Sequence, residues 1–173
     1  IIKLLHLLIK KTTINMEEKF KIGFIGCGRV GTSLAKYLVT IGLSVVGVYD
    51  RTKEKGIESA KFIETDFIND KKQLIEKSDI IFITVSDSAI KSVWNEIYQN
   101  ENSYLKNKIF VHCSGAISSE IFTNPNNFDF TACSLHPAQA FCDKYKSYLD
   151  LNKTVFTLEY NPKCNCNSIH KMK

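Results

Sequence analysis

The sequence predicts an α/β chain built on a doubly wound, mostly parallel sheet, and three observations predict it. Short apolar runs alternate with amphipathic helical stretches of about ten residues, the pattern of strand–helix–strand crossovers. One run, residues 79–85 (DIIFITV), is apolar almost throughout, as a central strand covered on both faces must be. Glycines follow the first run at a fixed spacing, just where a helical pattern begins.

The elements follow in order. Residues 20–26 (FKIGFIG) read as a buried strand ending in glycine. Residues 29–41 read as a helix with Val30, Leu34, Leu38 and Ile41 on one stripe, closed by Gly42. Residues 44–50 (SVVGVYD) form a second, β-branched strand, and Thr52 is placed to cap a helix over 53–62. A brief third strand is expected at 65–68, a polar helix at 71–77, and the fourth strand at 79–85. Asp87 stands where it could cap the next helix, 88–98, whose buried stripe is Ile90, Val93, Trp94 and Ile97. After a polar loop at 100–107, residues 108–113 (KIFVHC) form the fifth strand, followed by Ser114-Gly115 and a short helical turn. Residues 130–135 and 154–158 complete the strands.

The two ends read differently. Residues 1–11 (IIKLLHLLIKK) are amphipathic and basic, too short to span a bilayer and without the small-residue cleavage site of a signal peptide. Met16 reads as the initiator, so residues 1–15 are expected to be a non-native or disordered leader. Residues 16–135 are expected to form one α/β domain, and 136–173 the final strand and the start of a truncated second domain. From Asn161 the apolar periodicity stops.

Composition narrows the function classes. The 173 residues suit one domain, or one and the start of another, with 44% hydrophobic and 24% charged residues as in a soluble protein. The net charge of +5 is concentrated in Lys3, Lys10 and Lys11 at one end and Lys163, Lys171 and Lys173 at the other. The body between is near neutral, which argues against a nucleic-acid partner. Nor is a membrane partner expected. The six cysteines (Cys27, Cys113, Cys133, Cys142, Cys164 and Cys166) include no two-residue metal spacing, so reduced thiols in a cytoplasmic protein and no metal site are expected.

The chemistry is concentrated at Gly26-Cys27-Gly28-Arg29-Val30-Gly31. In this setting, between a strand and a helix, GxGxxG is the Rossmann fingerprint. Gly26 permits the turn, Gly28 lets backbone approach a pyrophosphate, and Gly31 lets the helix pack close to the strand. The helix start offers unpaired N–H groups and a positive dipole end to phosphates. Asp50, 19 residues beyond Gly31, is placed to accept from the adenosine ribose hydroxyls and favours NAD, or else to cap the following helix. Arg51 and Thr52 come next, and a guanidinium there suits the 2′-phosphate of NADP. Cys27 lies where a helix N-terminus would lower a thiol pKa, though a small side chain filling a tight turn is the simpler account.

Ligands in such sheets sit beyond the carboxyl ends of the strands. The fourth strand ends at Val85, Ser86 and Asp87, placed to meet the nicotinamide half, with a simple helix cap as the alternative for Asp87. The fifth ends at Ser114-Gly115, a hydroxyl and amides for substrate, while His112 reads as a core residue. His136-Pro137 ends the sixth; His136 is placed as an acid–base group or anion binder, or as a loop histidine. Ser114 and His136 are thus the candidate catalytic residues. A binder of S-adenosylmethionine is disfavoured by the glycine spacing and by the apolar residues before the turn, Ile22, Phe24 and Ile25. A non-catalytic NAD(P)-binding regulatory module uses the same residues and remains the alternative reading.

The segments 23–38 (GFIGCGRVGTSLAKYL), Asp50-Arg51, 85–90 (VSDSAI), 111–118 (VHCSGAIS) and 134–141 (SLHPAQAF) together resemble a family of oxidoreductases. Its members join an NADP-binding Rossmann-like domain to a helical C-terminal domain of unknown function. The likeness covers about residues 20–160, and the chain is more distantly similar to pyrroline-5-carboxylate reductases and β-hydroxyacid dehydrogenases. The resemblance implies NADP or NAD bound at Gly26, Gly28, Arg29, Val30 and Gly31, with Ser86 and Asp87 near the nicotinamide. It also implies a small-molecule substrate near Ser114 and His136, hydride transfer as the reaction, and a homodimer where the helical domain is present. That domain, which carries a catalytic lysine in the hydroxyacid dehydrogenases, would begin about where this sequence stops, so a catalytically incomplete fragment is also expected.

Overall fold

The computed structural model describes residues 20–164; the expectations for residues 1–15 and for the tail beyond 164 lie outside the described residues. The strands are β1 (Lys21–Ile25), β2 (Ser44–Tyr49), β3 (Ile80–Ile83), β4 (Ile109–His112), β5 (Thr131–Pro137) and β6 (Phe156–Tyr160). The helices are α1 (Arg29–Thr40), α2 (Lys53–Ile63), α3 (Lys71–Lys77) and α4 (Asp87–Asn100), joined by short 3-10 turns. The sheet order is β2-β1-β3-β4-β5-β6. All neighbours are parallel except β6, which runs antiparallel to β5. This is the expected doubly wound Rossmann-type sheet.

Strand periodicity of two sorts the core into two layers. Ile22, Phe24, Ile80, Phe82, Ile109 and Val111 face α1 and α2, where they meet Leu34, Leu38 and Ile63. Ile25, Ile81, Ile83 and Phe110 face the other way, onto Leu74, Trp94 and Ile97 of α3 and α4. Both faces are therefore covered, as the continuous apolar run over 79–85 requires. Trp94 anchors the second layer, its ring edge-on to Phe110 and Phe122 and its Nε1 donating to Thr123 O at 3.0 Å. Full burial of each such side chain contributes about 1.5–3 kcal/mol.

Several local expectations are corrected. The third strand at 65–68 is reduced to one parallel bridge between Phe67 and Val48, made by Val48 N donating to Asp66 O and Ile68 N donating to Val48 O, each at 2.9 Å. Thr52 occupies the cap position of α2 but its side chain makes no capping bond. Asp87 is not the cap of α4; Ser86 holds that position, and Asp87 lies in the first turn, where a carboxylate complements the helix dipole. β5 runs on through His136 and Pro137, so a division at 135 falls inside a strand. The segment after it returns to the same sheet as β6.

Candidate functional site

β1 turns left in the sheet to β2, and β3 begins on its other side, so a crevice opens at the carboxyl ends of β1 and β3, the switch point of the topology. Two cavities lie along it and share Gly28, Thr84, Val85 and Ser86. The first, about 400 Å³, is lined at one end by Cys27, Tyr49, Asp50, Arg51, Thr52 and Lys55. The second, about 430 Å³, runs past Arg29, Val30 and Asp87 to Cys113, Ser114 and Phe141. Of the twelve residues expected to hold a cofactor, eleven line this crevice; Gly31 does not.

The three glycines of the turn have different reasons to be glycine. Gly26 has φ of +102°, and a Cβ on it would lie 2.8 Å from the Thr84 carbonyl carbon. A Cβ on Gly31 would sit inside contact distance of Gly26 O and the Thr84 hydroxyl, so it serves helix–strand packing. Gly28 is different. Its φ of −76° suits any residue, and a Cβ there would meet nothing closer than Thr84 O at 3.9 Å. The fold itself does not require glycine at 28; the added atom would only fill the crevice.

Behind the turn, Thr84 Oγ1 donates to Gly26 O at 2.8 Å, tying β3 to the loop. Asp50 Oδ2 accepts from Cys27 N at 2.7 Å and its Oδ1 from Thr52 N at 2.8 Å. The Asp50 carboxylate thus bridges the glycine turn and the entrance of α2, a role neither sequence alternative anticipated. Each oxygen retains a lone pair for another donor. Arg51 and Lys55 are exposed at the same end and form no ion pair among the described residues, whereas Lys71 is neutralised by Glu96 at 2.6 Å. At the start of α1 there is neither a side-chain cap nor an acidic residue, so its first N–H groups face the crevice with no protein acceptor.

Cys27 is corrected as a reactive thiol. It is buried, its Sγ directed at Tyr49 O at 3.7 Å, and burial beside the Asp50 carboxylate pushes its pKa up to about 12. Desolvation outweighs the helix dipole, and the thiol is a packing group.

At the other end of the crevice, Ser114 Oγ accepts from Ala116 N at 3.1 Å, which leaves its own hydrogen available to a ligand. Ser134 Oγ donates to Ser114 O at 3.2 Å. His112 is wholly buried, as expected for a core residue, and its Nδ1 accepts from Ser114 N at 3.3 Å. Burial lowers its pKa, partly offset by the Ser118 backbone and the carboxylates of Glu159 and Asp87. His136 lies behind this loop rather than in the crevice lining. Its Nδ1 is 3.2 Å from Cys113 O, and its ring is packed so closely on Gly115 that a Cβ there would lie 2.6 Å from Cε1. Ser114 and His136 are therefore brought together across the Gly115 backbone, 22 residues apart in sequence.

Sequence reasoning missed Thr84, Lys55, Tyr49 and Phe141. Lys55 stands four residues after Arg51, a helical spacing that could have revealed it; Phe141 arrives from a loop with no such signal. No group of three His, Cys, Asp or Glu among the described residues is arranged to hold a metal ion. Among the same residues, no helix is long and apolar enough to cross a membrane.

No curated protein sequence matches the chain. Solved structures do, at the level of the fold. A Bacteroides fragilis protein described as an NADP oxidoreductase matches with TM-score 0.62 and 24% identity, over 83% of this chain and 52% of its own. Pyrroline-5-carboxylate reductase from Coxiella burnetii matches with TM-score 0.67 and 14% identity, over 88% and 54%. Pyrroline carboxylate reductase from Plasmodium falciparum, solved with NADP bound, matches with TM-score 0.59 and 17% identity, over 88% and 52%. The chain thus spans about half the length of these structures. A family model matches residues 21–115, from the first strand through the glycine turn to Gly115, and by that match the chain belongs to the family of NADP oxidoreductases described as coenzyme F420-dependent.

Proposed function

We propose that this domain binds NADP(H) along the crevice and serves hydride transfer between the nicotinamide and a small organic substrate. The observation that carries the reading is Gly28. Its missing side chain opens space that the fold does not use, next to helix N–H groups that the protein leaves without acceptors. A diphosphate fits both features, since it brings anionic oxygens and needs close backbone approach.

In this reading the amides at the start of α1, with Arg29, hold the diphosphate. Asp50, Arg51, Thr52 and Lys55 hold the adenosine ribose, the two cations favouring a 2′-phosphate and hence NADP over NAD. Val85, Ser86 and Asp87 flank the nicotinamide half. When bound, the dinucleotide supplies the hydride; the protein supplies orientation and protons. The free Ser114 hydroxyl orients a substrate oxygen or nitrogen. With Nδ1 donating to the Cys113 carbonyl, Nε2 of His136 would carry the lone pair and serve as a proton acceptor. The native unit in this reading is the domain over 16–135 extended to the end of β6, housed in the cytoplasm, where reduced thiols persist. Dimerisation would rest on a helical second domain.

Fluorescence titration with NADPH and NADH tests the reading. The parent should saturate, more tightly with NADPH. Gly28→Ser should weaken NADPH by about 100-fold or more, about 2.7 kcal/mol, because its hydroxyl fills the space and caps the free amides. Its urea midpoint should stay near that of the parent. A parent that binds neither nucleotide defeats the proposal.

A further inference from the structure

The segment after β4 that carries Ser114 has no strand or α-helix of its own, yet it is tied down at both ends. At its start, Ser114 is held by His112 and Ser134. At its end, one side chain of β6 and one just after it reach across about forty residues of sequence. Asn161, buried, donates from Nδ2 to Ser119 O at 2.9 Å and Phe122 O at 3.0 Å. Glu159 places a single oxygen, Oε1, where it accepts from Ser118 Oγ at 2.7 Å, Ser119 N at 2.8 Å and Ser119 Oγ at 2.7 Å.

Glu159 is exposed, so water could satisfy its carboxylate at no structural cost. Three protein donors instead converge on one atom, with the short distances of charge-assisted bonds. An exposed residue contributes little to the core, and its chief effect must be on what it grips. What it grips is the turn that ends the Ser114 loop.

We infer that Glu159 is a positioning residue of the crevice: from the edge strand β6 it clamps Ser118 and Ser119 and thereby fixes where Ser114 stands at the nicotinamide end. The inference rests on the reading of Ser114 given above, but the clamp itself is independent of any nucleotide. Antiparallel β6 thus has a role at the site although none of its residues lines the crevice.

Three variants test it: Glu159→Ala, which removes the acceptor; Glu159→Gln, which keeps an oxygen; and Ile97→Val, which loosens the distant second core layer. Amide hydrogen exchange on the nucleotide-free protein reads the clamp. Glu159→Ala should speed exchange at Ser114, Ala116 and Ser119 by about tenfold or more, Glu159→Gln should restore most of the protection, and Ile97→Val should not single out these amides. NADPH titration reads the site. Glu159→Ala should hold affinity within about twofold, because the diphosphate end is untouched, while the emission intensity of the bound nicotinamide changes. Unchanged exchange at the three amides in Glu159→Ala overturns the clamp, as does the same local loss in Ile97→Val. Altered exchange with unaltered nicotinamide emission overturns its link to the site. If the parent binds no NADPH, the binding reading fails, and the exchange measurement still decides the clamp.

Discussion

The two ends of the crevice are built in opposite ways. The end proposed for the diphosphate is local: β1, the three residues Gly26–Gly28 and the first turn of α1 supply it, with one brace from Thr84 and one from Asp50. Its ligand groups are backbone amides. The end proposed for the nicotinamide is assembled from afar: Ser114 from the loop after β4, Phe141 from the β5–β6 connection, with His136 of β5 packed behind that loop and a clamp from β6. Its ligand groups are side chains. Phosphate is common to every dinucleotide and can be read by main chain, whereas substrates differ and must be read by side chains that tertiary contacts bring together.

The largest expected effect separates fold from ligand within the local end. Gly31→Ala should destabilise by about 3 kcal/mol, since its Cβ would press on the Gly26 carbonyl, which cannot yield cheaply. Gly28→Ser should cost less than about 0.5 kcal/mol and lose the nucleotide instead. Urea denaturation of the two side by side checks this, and equal losses of stability would erase the distinction between packing glycine and ligand glycine.

A smaller effect concerns the ribose. Arg51→Ala should weaken NADPH about tenfold, about 1.4 kcal/mol, and leave NADH nearly unchanged. The ratio of the two dissociation constants is the measurement. An equal loss for both would assign Arg51 to the adenine or the diphosphate rather than the 2′-phosphate.

The smallest effect probes the assembled end through pH. Burial depresses the pKa of His112 in the fold below its ordinary 6.5. The unfolded chain therefore takes up a proton first as pH falls, so stability is complete above about 6.5 and declines toward the folded pKa. Protonated Nδ1 would also face the Ser114 N–H as donor against donor. His112→Asn should lower stability overall yet flatten its decline between pH 7 and 5. A variant as steep as the parent over that range would remove His112 from the linkage.

Much of the first end was legible in the residues alone. Gly26-Cys27-Gly28-Arg29-Val30-Gly31 lies within one strand–turn–helix unit, so its spacing carries its geometry. Asp50 was found by its distance from the turn, but its carboxylate accepts from Cys27 N, a bond that exists only once β1 and β2 are side by side. The Cys27 thiol went the other way from the helix-dipole argument because burial by α2 and β2, invisible from neighbouring residues, dominates its ionisation. At the far end, Ser114 and His136 were visible as residues at strand ends, but their meeting across Gly115 was not.

By itself the sequence determined the alternation of strands and helices, the two-sided burial of residues 80–83 and the glycine turn between β1 and α1, since each follows from side-chain period or from glycine at neighbouring positions. Only the tertiary structure decided that β6 turns antiparallel and that Glu159 on it and Asn161 just after it grip the Ser114 loop. Such contacts join residues some forty positions apart, and nothing in local propensity records which distant donor will reach which acceptor.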